Sequence, residues 1–401
     1  MIVDAINRNN VLPKPSALSF WTIYPLSTIY IFHSLMVAYI HSTYMEQFIS
    51  PSGVGMLFTI GSLFSVFTFL IFTPLLQKFG NTRLVIYLAL LDILSLVIMG
   101  ATTVPIVAIT SFLVFLAVNP LIFLNIDIYA ECIIGEDEGV TGTKRGITLT
   151  LMSVAGLLAP LFMGFLTKIT PNISYVYYAA ASFFTLFIIF ILLRFRTFID
   201  PIYTQTRFRH TLKKIITSKD IRNVCFSHFL LQMFFAWMVI YVPLYMVTVL
   251  GLSWHQIGNI LAVAMFAYVL LEYPVGYLAD KYVGEKEFMA VGFMILAVSS
   301  SWLAFITQDA TILTWMVVMF ATRVGAALVE TTTESYFFKH TDGSDADLIN
   351  FFRILRPLSN VFGALAGSLC LILFPFQFIF IILGLMMVPG LFVTMSLTDT
   401  K

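Results

Sequence analysis

Apolar runs of about the length a helix needs to cross a bilayer, roughly 20 residues, recur along the whole chain. About twelve are present, at 18–42, 52–76, 83–102, 104–129, 146–168, 174–196, 223–247, 256–279, 287–307, 311–335, 354–374 and 376–396. In hydrocarbon every backbone N–H and C=O must find its partner within the segment, so each run is predicted to be a helix. The connections are too short to hold a soluble catalytic domain. A chain 59% hydrophobic and 11% charged has too little polar surface to cover a soluble globule. The expected fold is an all-α membrane protein with twelve transmembrane helices.

The basic residues set the expected orientation. Of the 22 Lys and Arg, all but Lys168 and Arg323 fall in the tails and the even-numbered connections. The positive-inside rule then puts both termini in the cytoplasm of a cell that carries the protein in its plasma membrane. Residues 1–17 are polar and lack the apolar core of a removable signal, so the first span is expected to act as its own insertion signal. Cys132, Cys225 and Cys370 show no paired spacing, so neither a disulfide framework nor a zinc site is expected.

The chain reads as one unit written twice. An offset of 203 residues, that separating Gln77 from Asp280, also carries Ser50 and Gly55 onto Ser253 and Gly258, Asp127 and Glu131 onto Glu330 and Glu334, and Gly164 onto Gly367. Each half has an even number of spans, so the two run parallel, related by an axis along the membrane normal. The expected division is an N-terminal six-helix bundle over 1–196, a basic cytoplasmic linker over 197–222 and a C-terminal bundle over 223–401. The linker is expected to lie on anionic lipid of the inner leaflet.

Two polar turns occupy matching places, Gly276-Tyr-Leu278-Ala279-Asp280-Lys281 with Gly284 in one half, and Thr73-Pro-Leu75-Leu-Gln77-Lys78-Phe-Gly80 in the other. With twelve spans in two parallel halves, they resemble the turn motif of the major facilitator superfamily, the twelve-helix secondary transporters. The resemblance covers essentially the whole chain. It implies two pseudo-symmetric bundles and a conformational switch at Gly276, Asp280 and Lys281, with Gln77, Lys78 and Gly80 as the degraded copy and Arg356 at the facing helix. Physically, Gly276 would allow close packing, and Asp280 would accept hydrogen bonds at the opening of a facing helix. The alternative is a plain helix-ending turn anchored by lysines. Gly156-Leu-Leu-Ala159-Pro160 through Gly164 looks more weakly like a motif of proton-coupled antiporters, or serves packing and a bend.

Charges inside predicted spans are the candidate substrate or coupling residues, because a charge in hydrocarbon costs several kcal/mol unless compensated. Arg323 sits near the middle of the tenth span, with Glu330 two turns away. Its expected partner is an acid of another helix, Asp127 or Asp92, or an anionic substrate. Asp127 with Glu131, and Glu330 with Glu334, are like-charged neighbours one turn apart. They either pair with Lys144, Arg145, Arg353 and Arg356 or share a proton. Asp92 and His33 are either satisfied core residues or coupling sites, and Glu272 and His228 are expected in packing or gate contacts. Trp237 and Tyr241 belong to a stripe with Phe229, Met233 and Tyr245, which either packs or faces the path of an amphipathic or aromatic solute.

A small-molecule transporter, monomeric and in contact with lipid, is therefore expected, with protons as a possible coupling ion and with efflux preferred to uptake. No cofactor, metal or nucleic acid is expected. No phosphate-binding Gly-rich loop is present, which argues against direct ATP drive. A transporter-like sensor and a lipid-acting membrane enzyme are the alternatives from other classes, and the enzyme would need a nucleophile and base beside the acid pairs.

Overall fold

The computed structural model describes residues 20–134, 138–170, 172–203, 208–307, 309–340 and 346–398. Its fourteen α-helices are α1 (Ile23–Ala38), α2 (His41–Glu46), α3 (Pro51–Phe79), α4 (Asn81–Ala101), α5 (Pro105–Ile134), α6 (Glu138–Ile169), α7 (Ser174–Arg194), α8 (Phe208–Thr217), α9 (Lys219–Thr248), α10 (Trp254–Leu278), α11 (Glu285–Trp302), α12 (Ile312–Lys339), α13 (Ala346–Leu373) and α14 (Phe378–Met395). There is no strand among the described residues. Twelve spans are long and apolar enough to cross a membrane, α1 and α2 together making the first. Several helices outrun their apolar cores. The 30 residues of α9 extend about 45 Å, against a hydrocarbon thickness of about 30 Å.

Sequence signals start the helices where local chemistry requires. Ser50 caps α3, its hydroxyl accepting from the Gly53 N–H, with Pro51 at the first helical position. Its repeat counterpart Ser253 opens α10 with a reciprocal capping box to Gln256. Within the first six spans, α1 packs on α6 and α7, and α4 on α5 and α7. In the last six, α9 packs on α12, α13 and α14, and α11 on α12 and α14. Helix α8 is short and strongly amphipathic and packs on α9 and α13 of the last six spans.

The halves meet along two equivalent seams, α3 against α13 and α6 against α10. Each joins the second span of one half to the fifth of the other. The seams are tightest near the first turns of α3 and α10, on the side of the molecule opposite the linker. There, a Cβ on Gly55 would meet Tyr241, Ser368 and the Ala364 carbonyl, and one on Gly258 would meet the Pro160 carbonyl and Gly164. The Ser368 hydroxyl donates to the Ser52 carbonyl across the first seam. Repeat-related glycines thus let the halves touch at this end, as small residues do between membrane helices. On the linker side, α5 and α12, which carry the two acid pairs, do not pack along one another.

Candidate functional site

The chemistry inside the membrane is concentrated on one face of α12. Arg323, Glu330 and Glu334 are separated by 7 and 11 residues, and at about 3.6 residues per turn these spacings return to nearly the same azimuth. The result is a polar stripe from the middle of α12 toward its linker-side end. Arg323 is only 2% exposed. Its guanidinium lies over the Phe234 ring at 5.5 Å, and its Nη1 has no hydrogen-bond partner. Among the described residues no carboxylate is within ion-pair distance of it, and Glu330 is about 10 Å along the helix axis.

Asp92, one of the acids expected to pair with Arg323, is committed elsewhere. His33 Nε2 is 3.3 Å from Asp92 Oδ1, both side chains being fully buried. The Asn119 amide donates to Asp92 Oδ2 at 2.9 Å, and the Tyr30 hydroxyl donates to Asn119 Oδ1 at 2.9 Å. His33 stacks on Phe184 with centroids 3.6 Å apart, and its Nδ1 is 2.7 Å from the Tyr30 carbonyl. This closed polar core ties α1, α4 and α5 together. It accounts for both residues as hydrogen-bonded core groups.

Closer to the linker side, the remaining acids gather. Arg353 of α13, one of the bases the sequence offers to this acid pair, donates to Glu334 Oε1 at 3.1 Å. Glu330, part-exposed, lies within electrostatic reach of Glu334, Glu272, Arg356 and Arg323. Arg356, on α13, is exposed and lies within electrostatic reach of Tyr30 of α1, as Asp127 of α5 does. Glu272 of α10 accepts a 2.9 Å hydrogen bond from Ser153 of α6, a contact between halves. His228 is packed, its ring 4.1 Å from that of Phe352. The Glu131, Lys144 and Arg145 side chains lie outside the described residues, so the expected pairing with the first acid pair is not described.

The two polar turns prove to be built differently. Gly80 ends α3 at φ 72°, with its N–H bonded to the Leu76 carbonyl four residues back. Gly284 has φ 96° but bonds five residues back, to Ala279, because Ala279–Val283 forms a π-helical turn. That wider turn absorbs the extra residue that places Gly284 one position late in the repeat. Both glycines adopt a backbone that side-chain-bearing residues disfavour. Gly276 has no such need, since a Cβ there would meet only Thr331 Cγ2 at 3.7 Å. The expectation that Gly276 serves close helix packing is therefore corrected. Lys281 folds back along its own helix, donating to the Tyr277 hydroxyl at 2.9 Å, and the Asp280 side chain lies outside the described residues.

In the N-terminal turn the linker supplies the acid that Gln77 lacks. Asp200 Oδ1 accepts from the Asn81 N–H opening α4 at 2.7 Å and from the Tyr203 hydroxyl at 2.6 Å. Gln77 Nε2 donates to the Tyr203 carbonyl at 2.8 Å. Burial and the adjoining Asp200 carboxylate push the Tyr203 phenol well above its usual range, so it stays a donor. Lys78, exposed, lies near the Phe79 ring. Sequence reading missed Asp200 and Tyr203. The available signal was an acid before proline inside an otherwise basic linker.

The aromatic stripe of α9 faces α13 and α14, so the solute-facing alternative is corrected. Trp237 Nε1 donates to the Gly363 carbonyl at 2.6 Å, and the Tyr241 hydroxyl donates to the Ala364 carbonyl at 2.5 Å. Phe229 meets Phe362, and Tyr245 meets Phe376 and Phe380. Gly367 leaves room for the Tyr241 ring, and Gly363 lets α13 approach the α9 backbone at Met233, a fit across helices that the spacing of four along α9 cannot reveal. Among the described residues no group of His, Cys, Asp and Glu is placed to hold a metal ion.

Comparison with known proteins agrees with this architecture. Residues 224–401 match the model of the Major Facilitator Superfamily. No curated protein matches in sequence. Among solved structures, the fold is similar to the nucleoside transporter NupG, with TM-score 0.71 and 10% identity over 94% of this chain and 98% of that one. It is likewise similar to the POT family transporter PepTSo, with TM-score 0.75 and 10% identity over 94% and 96%. A third is a POT family transporter in complex with a thioalcohol-conjugated peptide, with TM-score 0.76 and 11% identity over 94% of each chain. The chain therefore resembles the major facilitator superfamily in sequence over residues 224–401, and it shares the fold of these solved transporters along nearly all its length.

Proposed function

We propose that this chain of major facilitator type is a secondary transporter of the plasma membrane. It moves a small solute by rocking its two six-helix halves about a mid-membrane site, with a proton as coupling ion. The observation that carries this reading is the polar face of α12. Buried Arg323 and part-exposed Glu330 and Glu334 form a polar path where an inert helix would present apolar residues. On this reading both termini and the linker are cytoplasmic, the seams at Gly55 and Gly258 close the outer gate, and the acidic linker-side end is the inner mouth.

Glu330 is the coupling acid we propose, because it stands between Arg323 and the mouth and lies within electrostatic reach of two further acids. A carboxylate so placed exchanges a proton as its surroundings alternate between wet and closed. Asp127, Glu131 and Glu334 are assigned to the mouth, and Asp92 with His33 to the core of the first half. With the aromatic stripe packed on α13, an aromatic solute has no special support, and the direction of transport follows from the pH arm of the test. Purified protein in liposomes carrying an internal pH dye is exposed to a solute panel, with and without an imposed gradient. Solute-dependent proton movement that disappears in Glu330→Gln is expected. Flux indifferent to the gradient in wild type removes the proton and leaves a facilitator, and no flux of any solute removes transport.

A further inference from the structure

Two buried donors without hydrogen-bond partners lie on adjacent helices of the C-terminal half. The Arg323 guanidinium has an unpartnered Nη1, and Tyr268 of α10, 5% exposed, has an unpartnered hydroxyl. The two lie within electrostatic reach of each other, on α10 and α12, which pack along their length. Phe234 forms a wall behind the guanidinium, and Tyr39, whose hydroxyl contacts Met265 Sδ across the halves, lies within reach of Tyr268.

A buried guanidinium stays charged, and leaving it unpaired costs several kcal/mol. Natural membrane proteins keep such a group where it meets a partner during function. No internal acid forms an ion pair with it among the described residues: Asp92 is held by His33 and Asn119, Glu334 by Arg353, and Glu330, within electrostatic reach, is two turns away along α12, a rise of about 10 Å. The planar donor fork of arginine fits an oxyanion in bidentate fashion, and a phenol beside it donates a third hydrogen bond.

We infer that Arg323 and Tyr268 bind the acidic oxyanion group of the transported solute, which makes the substrate a small organic acid. The shared chemistry is a carboxylate or a phosphonate, both matched by the fork. This rests on the transporter reading above, and it narrows the cargo to molecules with one fixed negative group. The acids nearer the mouth then favour uncharged or protonated partners along the path, so the anion is held only at the deepest point of the stripe.

The full-length protein in detergent tests this by thermal unfolding with benzoate, hexanoate and phenylphosphonate against benzamide and hexanamide. At least one acid is expected to raise Tm by a few degrees while its amide does nothing. Arg323→Gln should abolish that shift, and Tyr268→Phe should weaken binding by about tenfold or more, the loss of one hydrogen bond to a charged group. Arg323→Lys, which keeps the charge, should retain part of it, so a general loss of folding in Arg323→Gln is recognised. No response to any acid, equal responses to acid and amide, or an unchanged acid response in Arg323→Gln and Tyr268→Phe overturns the assignment. Spin-label distances across the Gly55 seam report the transporter reading separately. Distances that alternate while acids fail to bind sink only the substrate class, and fixed distances with acid-specific binding sink only the transport.

Discussion

The Asp200 carboxylate and the Asn81 N–H, 119 residues apart, meet at 2.7 Å where α4 opens. A carboxylate at that position satisfies an orphan donor and complements the helix dipole. Here it also fastens the linker to the first half. Asp200→Ala is expected to cost about 1 kcal/mol and to expose the linker to limited proteolysis. Gln77→Ala removes one bond to Tyr203 and should produce the same change more weakly. The Tyr203 phenol is raised by burial and by Asp200, so its protonated form is favoured by folding. The clasp should therefore be fully present below the free phenol value of about 10 and weaken as pH rises beyond it, read as increasing protease sensitivity.

The two turn glycines should respond differently from the motif glycine. Gly284 holds φ 96°, and Gly284→Ala is expected to cost about 1–2 kcal/mol. Gly276→Ala meets open space out to 3.7 Å and should leave thermal stability within about 0.5 kcal/mol of wild type. Equal losses in the two variants would show that the π-turn does not set the demand for glycine at 284.

The outer seam should be sensitive to one methyl group. A Cβ at Gly258 would press on the Pro160 carbonyl and on Gly164 Cα at 3.0 Å, backbone atoms that cannot rotate away. Gly258→Ala should widen the seam between α6 and α10 and shift the population toward a form open on that side, while each half stays folded. Spin-label distances between the first turn of α10 and the last turn of α6 measure this. An unchanged distance distribution would mean that the seam has slack.

The core of the first half depends on Asp92. Asp92→Leu strands the Asn119 amide and a His33 nitrogen in the interior, at about 1–3 kcal/mol for each unsatisfied group. Asp92→Asn keeps the shape and can bond to one partner, so its loss should be smaller. If Asp92→Leu instead leaves Tm untouched and alters only flux, the pair belongs to the transport path.

Much of the architecture is legible in the chain itself. Twelve apolar runs of bilayer length leave helices as the means of satisfying the backbone, and the repeat at 203 residues points to two parallel halves. The repeat also pairs Ser50 with Ser253, and in the structure both cap a helix. Intramembrane charge singled out Arg323 and Glu330, since hydrocarbon makes an unexplained ion conspicuous in any span.

Partners were decided by the tertiary structure. His33 and Asp92 are 59 residues apart, and neither periodicity nor composition selects Asp92 for His33 over Arg323. The stripe of Trp237 and Tyr241 has one spacing whether it faces a solute or α13, and only the glycines of α13 across the contact settle which. Asp200 replaces a charge missing at Gln77 through a fold-back of the linker that no repeat records. The sequence determined which segments enter the membrane, because that depends on each segment's own transfer free energy. Which polar group meets which depends on how helices distant in sequence are brought together, and the packed bundle alone fixes that.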